Sequence, residues 1–189
     1  MKYLLYSTIG ICLGVHFIAC NDPYVEESNT VTKQTIKDTL IKKIPAIPYD
    51  TADIVIDTKD QTRGNIVNFA KTLTGVPYKY ASADPAFGFD CSGFITYVFN
   101  HFKIQVPRSS VDFTNLGKTV DLENARQGDL ILFTGTDSTI SVIGHMGIIT
   151  ENTDTLKFIH STSGKAHGVT ITGFNNYYKR RFVKIIDIF

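Results

Sequence analysis

The chain has 189 residues, 43% of them apolar and 20% charged, which fits one globular domain with an additional terminal segment and excludes low-complexity and collagen-like classes. Its 19 Lys and Arg stand against 18 Asp and Glu, and removal of the first nineteen residues takes away Lys2 and no acid, leaving a balanced chain. A chain without net charge has no electrostatic case for binding nucleic acid.

The first segment has the layout of a secretory signal: Lys2 gives a positive start, and Leu4 to Ala19 is an apolar run without a carboxylate. As a membrane span it is short and interrupted by His16, so export with cleavage is expected over 1–19. Residues 20–60 are polar, rich in Thr, Lys and Asp, and broken by Pro23, Pro45 and Pro48; they read as a tether leading into an extended stretch from Thr51 to Thr58. The folded domain is expected over 61–189. Ile66, Phe69, Ala70 and Leu73 recur at helical spacing behind a candidate cap, Thr62, and Gly75 with Pro77 closes the run. A second helix opens at Asp90 and carries Phe94, Ile95, Val98, Phe99 and Phe102 on an apolar face. After Gly128, read as a turn with Asp129, five β runs follow: Leu130 to Phe133, His145 to Thr150, Leu156 to His160, Val169 to Thr172 and Phe182 to Ile188. Helices first and strands later predict an α+β domain, with the N-terminal helices packed on an antiparallel β-sheet.

Cysteine usage points to a site. Cys12 falls in the signal, and if Cys20 carries lipid the mature protein keeps one thiol, Cys91, where structural cysteines usually come in pairs. Such a thiol is either a small buried apolar residue or a reactive one. Asp90-Cys91-Ser92-Gly93 opens the second helix, so Asp90 can cap it and Cys91 lies in its first turn. The positive end of a helix dipole, especially beside an imidazolium, can bring a thiol from about 8.5 to roughly 3.5 to 7.5, which predicts a thiolate at neutral pH.

A cysteine nucleophile needs an imidazole to shuttle protons and usually a group to orient it. Of the four histidines beyond the signal, His101 near the end of the nucleophile helix and His167 in a Gly-flanked loop read as surface residues. His145 and His160 lie on successive predicted strands. A turn centred between Asn152 and Thr153 puts them directly opposite each other, with Cβ atoms about 4.5 to 5.5 Å apart, which suits two imidazoles sharing a hydrogen bond.

Cys91 within FDCSGF, His145 within HMGII and His160 within FIHSTS, together with GVPY at Gly75 to Tyr78, VPRSS at Val106 to Ser110 and QGDLILF at Gln127 to Phe133, resemble the NlpC/P60 family of cell-wall cysteine peptidases from about Gly64 to Phe189. The resemblance implies a papain-like α+β fold and hydrolysis of the γ-D-glutamyl to diaminopimelate bond in peptidoglycan stem peptides. It makes Cys91 the nucleophile, His145 the base and then acid, and His160 the orienting residue. Tyr78 matches a tyrosine that positions the nucleophile or stabilises the oxyanion. Asp90 and Ser92 would face the amino end of the substrate, although Asp90 is also explained as a cap, and Arg108 would either meet a substrate carboxylate or brace its loop. Two departures affect the substrate loop and targeting: Ala81-Ser82 stands where relatives often carry a Gly pair, and the tether is too short for the SH3-like wall-binding domain many relatives have. Phe17-Ile18-Ala19-Cys20 is similar to a lipoprotein box, departing from it at the first two places, and implies lipidation of Cys20 and a membrane-held location in the cell envelope.

Other classes stay open. A non-catalytic wall-binding lipoprotein has no need of the whole Cys-His-His set; another thiol chemistry, amidase or acyltransferase, is compatible with the same residues. One Cys and two His are also three of the four ligands zinc prefers, but no fourth has suggestive spacing. No metal or other cofactor is expected, and the expected form is a monomer acting on muropeptides.

Overall fold

The computed structural model describes residues 56–137, 139 and 141–189; the expected signal, the Cys20 box and most of the tether lie outside them. Of the extended stretch expected from Thr51 to Thr58, residues 56–58 are described: they form no strand, and Ile56 is buried in the core.

The first helix, α1 (Arg63–Thr72), begins where Thr62 Oγ1 accepts from the Asn65 N–H at 3.2 Å, a cap of the kind that contributes about 1 kcal/mol. It buries Ile66, Val67 and Ala70. A short hairpin, β1 (Ala83–Asp84) and β2 (Gly88–Phe89), leads into α2 (Cys91–His101). Asp90 caps α2, its Oδ1 accepting from the Gly93 N–H at 2.6 Å. Gly93 is required there by space: a Cβ would lie 2.1 Å from the Ser82 carbonyl oxygen, so only glycine lets the first turn dock on the loop before it.

The remaining strands are β3 (Lys118–Val120), β4 (Leu130–Thr134), β5 (Ile143–Glu151), β6 (Lys157–Thr162), β7 (Gly168–Gly173) and β8 (Phe182–Asp187), with a short helix, α3 (Asn176–Lys179), and 3-10 turns at Ser110–Phe113 and Leu122–Asn124. These six strands form one antiparallel sheet in the order β3-β8-β4-β5-β6-β7. The five expected β runs are all present, and the α+β expectation holds; the edge strand β3 and the small hairpin were not expected. Period-two alternation divides the core between the two faces of the sheet. Leu130, Leu132, Met146, Ile148 and Ile159 pack with Ile66, Phe94, Val98 and Phe99 of the helices. Ile131, Phe133, Ile149, Phe158 and Ile185 build a second cluster with Tyr178.

The Gly128-Asp129 turn does more than connect. Gly128 has φ +90, and Asp129, fully buried, is paired with Arg63 at the start of α1. Arg63 also reaches Asp187 at the end of β8, so one guanidinium ties the first helix to the turn before β4 and to β8. Burial raises the Asp129 carboxyl above its ordinary range in spite of Arg63 and the Arg126 N–H.

Candidate active site

Several chain segments converge around Cys91. The thiol is half-buried at the start of α2, its Sγ 3.8 Å from the carbonyl oxygen of Gly144 in β5. Tyr78 is fixed by its backbone, with its N–H donating to His167 O at 3.0 Å and a bridge to Phe89. Cys91, Tyr78 and His145 line one cleft of about 1110 Å³, which also takes in Lys165, Thr172 and Arg181. A smaller lobe of about 450 Å³ shares Tyr78, Cys91 and Gly144 with it and is walled by Tyr80, Asp90, Ser92 and Arg108.

The two imidazoles meet, but not in the expected register. Ile148 pairs with Ile159 and Ile149 with Phe158, which places Gly147, not His145, opposite His160. The pairing around the histidines is centred one residue later than expected, beside a β-bulge between Ile149 and Glu151; Asn152, just past the bulge, donates through Nδ2 to the carbonyls of Leu122 and Ala125 at 2.8 and 3.1 Å. A one-residue displacement of the centre moves each partner by two and so keeps both rings on one face, where they meet diagonally. His145 Nε2 lies 2.8 Å from His160 Nδ1, and His160 Nε2 lies 3.0 Å from Thr172 Oγ1. Gly147 makes room for this, since a Cβ there would stand 2.7 Å from the Phe158 ring and 3.2 Å from His160 Cβ.

Surroundings set the protonation states. Phe133, Phe158 and Tyr178 crowd the pair, with ring centroids 4.9 Å from Phe158 to His160 and 5.9 Å from Phe133 to His145. Burial, then the neighbouring His160 and Arg181, pushes His145 well below its ordinary value. Burial and then Arg181 bring His160 down to about 4. Both rings are therefore neutral at neutral pH. The expected thiolate is a correction: burial, and then the Asp90 carboxylate, raise the Cys91 thiol, and the N–H groups of Ser92, Cys91 and Met146 offset this only in part. The helix start does act as predicted, but desolvation is the larger effect. Tyr78 is raised by burial and then by the negative forms of Cys91 and Asp90, so its hydroxyl stays a donor.

Asp90, Ser92 and Arg108 are brought together as one cluster. Arg108 grips Asp90 through both amino groups at 3.0 and 2.6 Å and also donates to Ser92 Oγ at 3.1 Å, so it braces this corner. His101 and His167 are exposed, as expected, with His101 stacked on Phe69 and His167 beside Tyr78 at 6.0 Å between centroids. Sequence reasoning missed Thr172, Tyr178 and Arg181. Thr172 was within reach of it, since it lies on the strand after His160 and two residues from Thr170, the direct partner of His160. Among the described residues no group of three or more His, Cys, Asp or Glu is arranged to hold a metal ion.

The family model described as NlpC/P60 family matches residues 75–187, which contain every residue of this cluster and most of the chain. The chain belongs to the NlpC/P60 family. Two curated relatives carry different named activities. The chain is 37% identical over 120 residues to the gamma-DL-glutamyl hydrolase of Bacillus subtilis, covering 62% of this chain but 28% of that protein. It is 26% identical over 185 residues to the murein DD-endopeptidase MepS/murein LD-carboxypeptidase of Escherichia coli, covering 96% of this chain and 91% of that one. Among solved structures, an NlpC/P60 family protein from Bacillus cereus aligns with a TM-score of 0.60 at 29% identity, over 68% of this chain and 40% of that one.

Proposed function

We propose that this chain is a cysteine endopeptidase acting on peptidoglycan stem peptides, with Cys91 as nucleophile and His145 as general base and then acid. The imidazole pair carries the reading. His145 Nε2 is occupied by His160 Nδ1, which leaves His145 Nδ1 to serve the thiol in the shared cleft. For Nδ1 to accept a proton, Nε2 must carry one and donate it to His160 Nδ1; His160 Nε2–H then donates to Thr172 Oγ1. One tautomer of each ring satisfies the whole chain, and both rings are neutral, so the base is ready to act.

With a protonated thiol, attack and deprotonation proceed together: the Cys91 S–H proton passes to His145 Nδ1 as sulfur bonds to the substrate carbonyl carbon. The oxyanion is met by the Tyr78 hydroxyl and backbone N–H groups around Cys91. His145 then returns its proton to the leaving nitrogen, the amide C–N bond breaks, and an acyl-thioester remains. Water, deprotonated by His145, releases the acid and restores the thiol. Asp90 and Ser92, braced by Arg108, would receive the amino end of the substrate in the smaller lobe.

The bond we favour is γ-D-glutamyl to diaminopimelate, supported by the name of the Bacillus subtilis relative. A bond between two D-configured residues is the second reading, favoured by the near full-length match to the Escherichia coli enzyme. Digestion of defined muropeptides with mass spectrometry decides: fragments ending in γ-D-Glu support the first, separated cross-linked stems the second. Peptides left intact by a protein whose thiol is reactive would refute both. Export and anchoring at Cys20 belong to the same proposal, and Cys20→Ser should move tagged protein from the membrane to the soluble fraction without loss of activity; unchanged membrane retention would remove the anchor from the reading.

A further inference from the structure

His145 must protonate the leaving nitrogen, so the leaving half of the substrate lies in the lobe His145 lines. That is the larger lobe, since His145 does not reach the smaller one. Its lining contains two cations, Lys165 and Arg181, and no Asp or Glu. Arg181 is unusual: it is 8% exposed, yet no carboxylate pairs with it among the described residues. Its amino groups donate to Thr134 O at 2.8 Å and to the Tyr177 hydroxyl, the Tyr177 ring lies 5.0 Å away, and its Nε has no hydrogen-bond partner. A guanidinium does not shed its proton, so its charge stays buried without a counter-charge. The other buried or half-buried arginine pairs of this fold, Arg63 with Asp129 and Arg108 with Asp90, are neutralised internally. The same uncompensated charge helps to hold both imidazoles neutral.

We infer that Arg181 and Lys165 form a subsite for a carboxylate on the residue whose amine is released, with the substrate supplying the anion the cleft lacks. The inference rests on the endopeptidase reading and adds to it the chemistry demanded of the leaving group. Arg181 supplies the fixed, largely desolvated charge, and Lys165, exposed in the loop between β6 and β7, supplies a mobile one.

The test uses the full chain and a matched pair of peptides, L-Ala-γ-D-Glu-L-Lys with a free terminal carboxylate and the same peptide as its carboxamide. The wild-type kcat/KM should favour the carboxylate by tenfold or more. Lys165→Gln, an exposed change that leaves the core untouched, should narrow that ratio to about threefold. Arg181→Gln, checked for folding by its thermal melt, should narrow it further, and Arg181→Lys should restore part of it. Equal cleavage of both peptides by the wild type would overturn the subsite while leaving the peptidase reading intact. So would a ratio that survives both Lys165→Gln and a folded Arg181→Gln. If neither peptide is cut, while cross-linked stems are, the ratio is measured on the cross-linked pair with the same outcomes; if nothing is cut, the peptidase reading falls and takes the subsite with it.

Discussion

His160→Ala isolates the orienting contact. The His160 ring is fully buried, and its loss removes the acceptor 2.8 Å from His145 Nε2. The Nε2–H is then left among Phe133 and Tyr178 without a partner, which costs about 1 to 3 kcal/mol for a buried polar group. Carried into the transition state, that corresponds to roughly a fivefold to 150-fold loss of kcat. His160→Asn places an amide oxygen close to the position of Nδ1 and should recover part of the loss; His160→Gln puts its amide nearer Thr172 and should recover less. Removal of His160 also deletes one of the causes that depress His145, so its pKa rises. The acid limb of kcat/KM against pH, below about 6.5 in the wild type, should therefore move upward in His160→Ala. The assay is muropeptide turnover from pH 4.5 to 9 for the four proteins. His160→Ala with wild-type turnover, or a wild-type acid limb already above 6.5, would refute the reasoning.

Because the folded pKa of His160 is depressed to about 4, its contribution to stability is complete above its unfolded value, is lost as pH falls toward 4, and has the same sign as that of His145. Melting temperature should drop between pH 7 and 4.5, and less steeply in His160→Asn; equal slopes would count against buried neutral imidazoles. Arg63→Met strands the buried Asp129 charge and should cost about 3 to 5 kcal/mol in denaturant unfolding, so an unchanged midpoint would contradict the pairing. Gly147→Ala must displace the Phe158 ring or the Ile159 carbonyl, 2.7 and 2.9 Å from the new Cβ, and should cost about 1 to 3 kcal/mol and depress turnover by disturbing His160. Wild-type stability and turnover there would mean that the strands separate more easily than the packing implies.

The main elements were legible because each carries a local signal. Thr62 and Asp90 cap helices whose apolar residues recur at the right period, and the five β runs are bounded by turn residues. What sequence could not supply is the set of contacts made at long separation. The register of β5 against β6 goes with a bulge between Ile149 and Glu151, beside Asn152 whose amide bonds to the carbonyls of Leu122 and Ala125, and nothing local in the strand sequence shows either. The two imidazoles meet all the same, since a shift of two preserves the face. The Cys91 thiol departs from expectation for a related reason: the helix start is visible in DCSG, whereas the burial of the thiol depends on how α2 docks. Arg181 reads as one of several basic residues in KRRF until the fold shows which of them is enclosed.

The protonated thiol has a consequence for chemical selectivity. Small diffusing electrophiles and peroxides react with thiolates, so a resting Cys91 held as S–H is a slow target for them. Nucleophilicity arises when a carbonyl is seated close enough for proton and electron pair to move together. Durability against indiscriminate oxidation and susceptibility to a shape-matched covalent inhibitor would then have one origin, and such an inhibitor would gain its discrimination from occupancy of the groove rather than from the strength of its warhead.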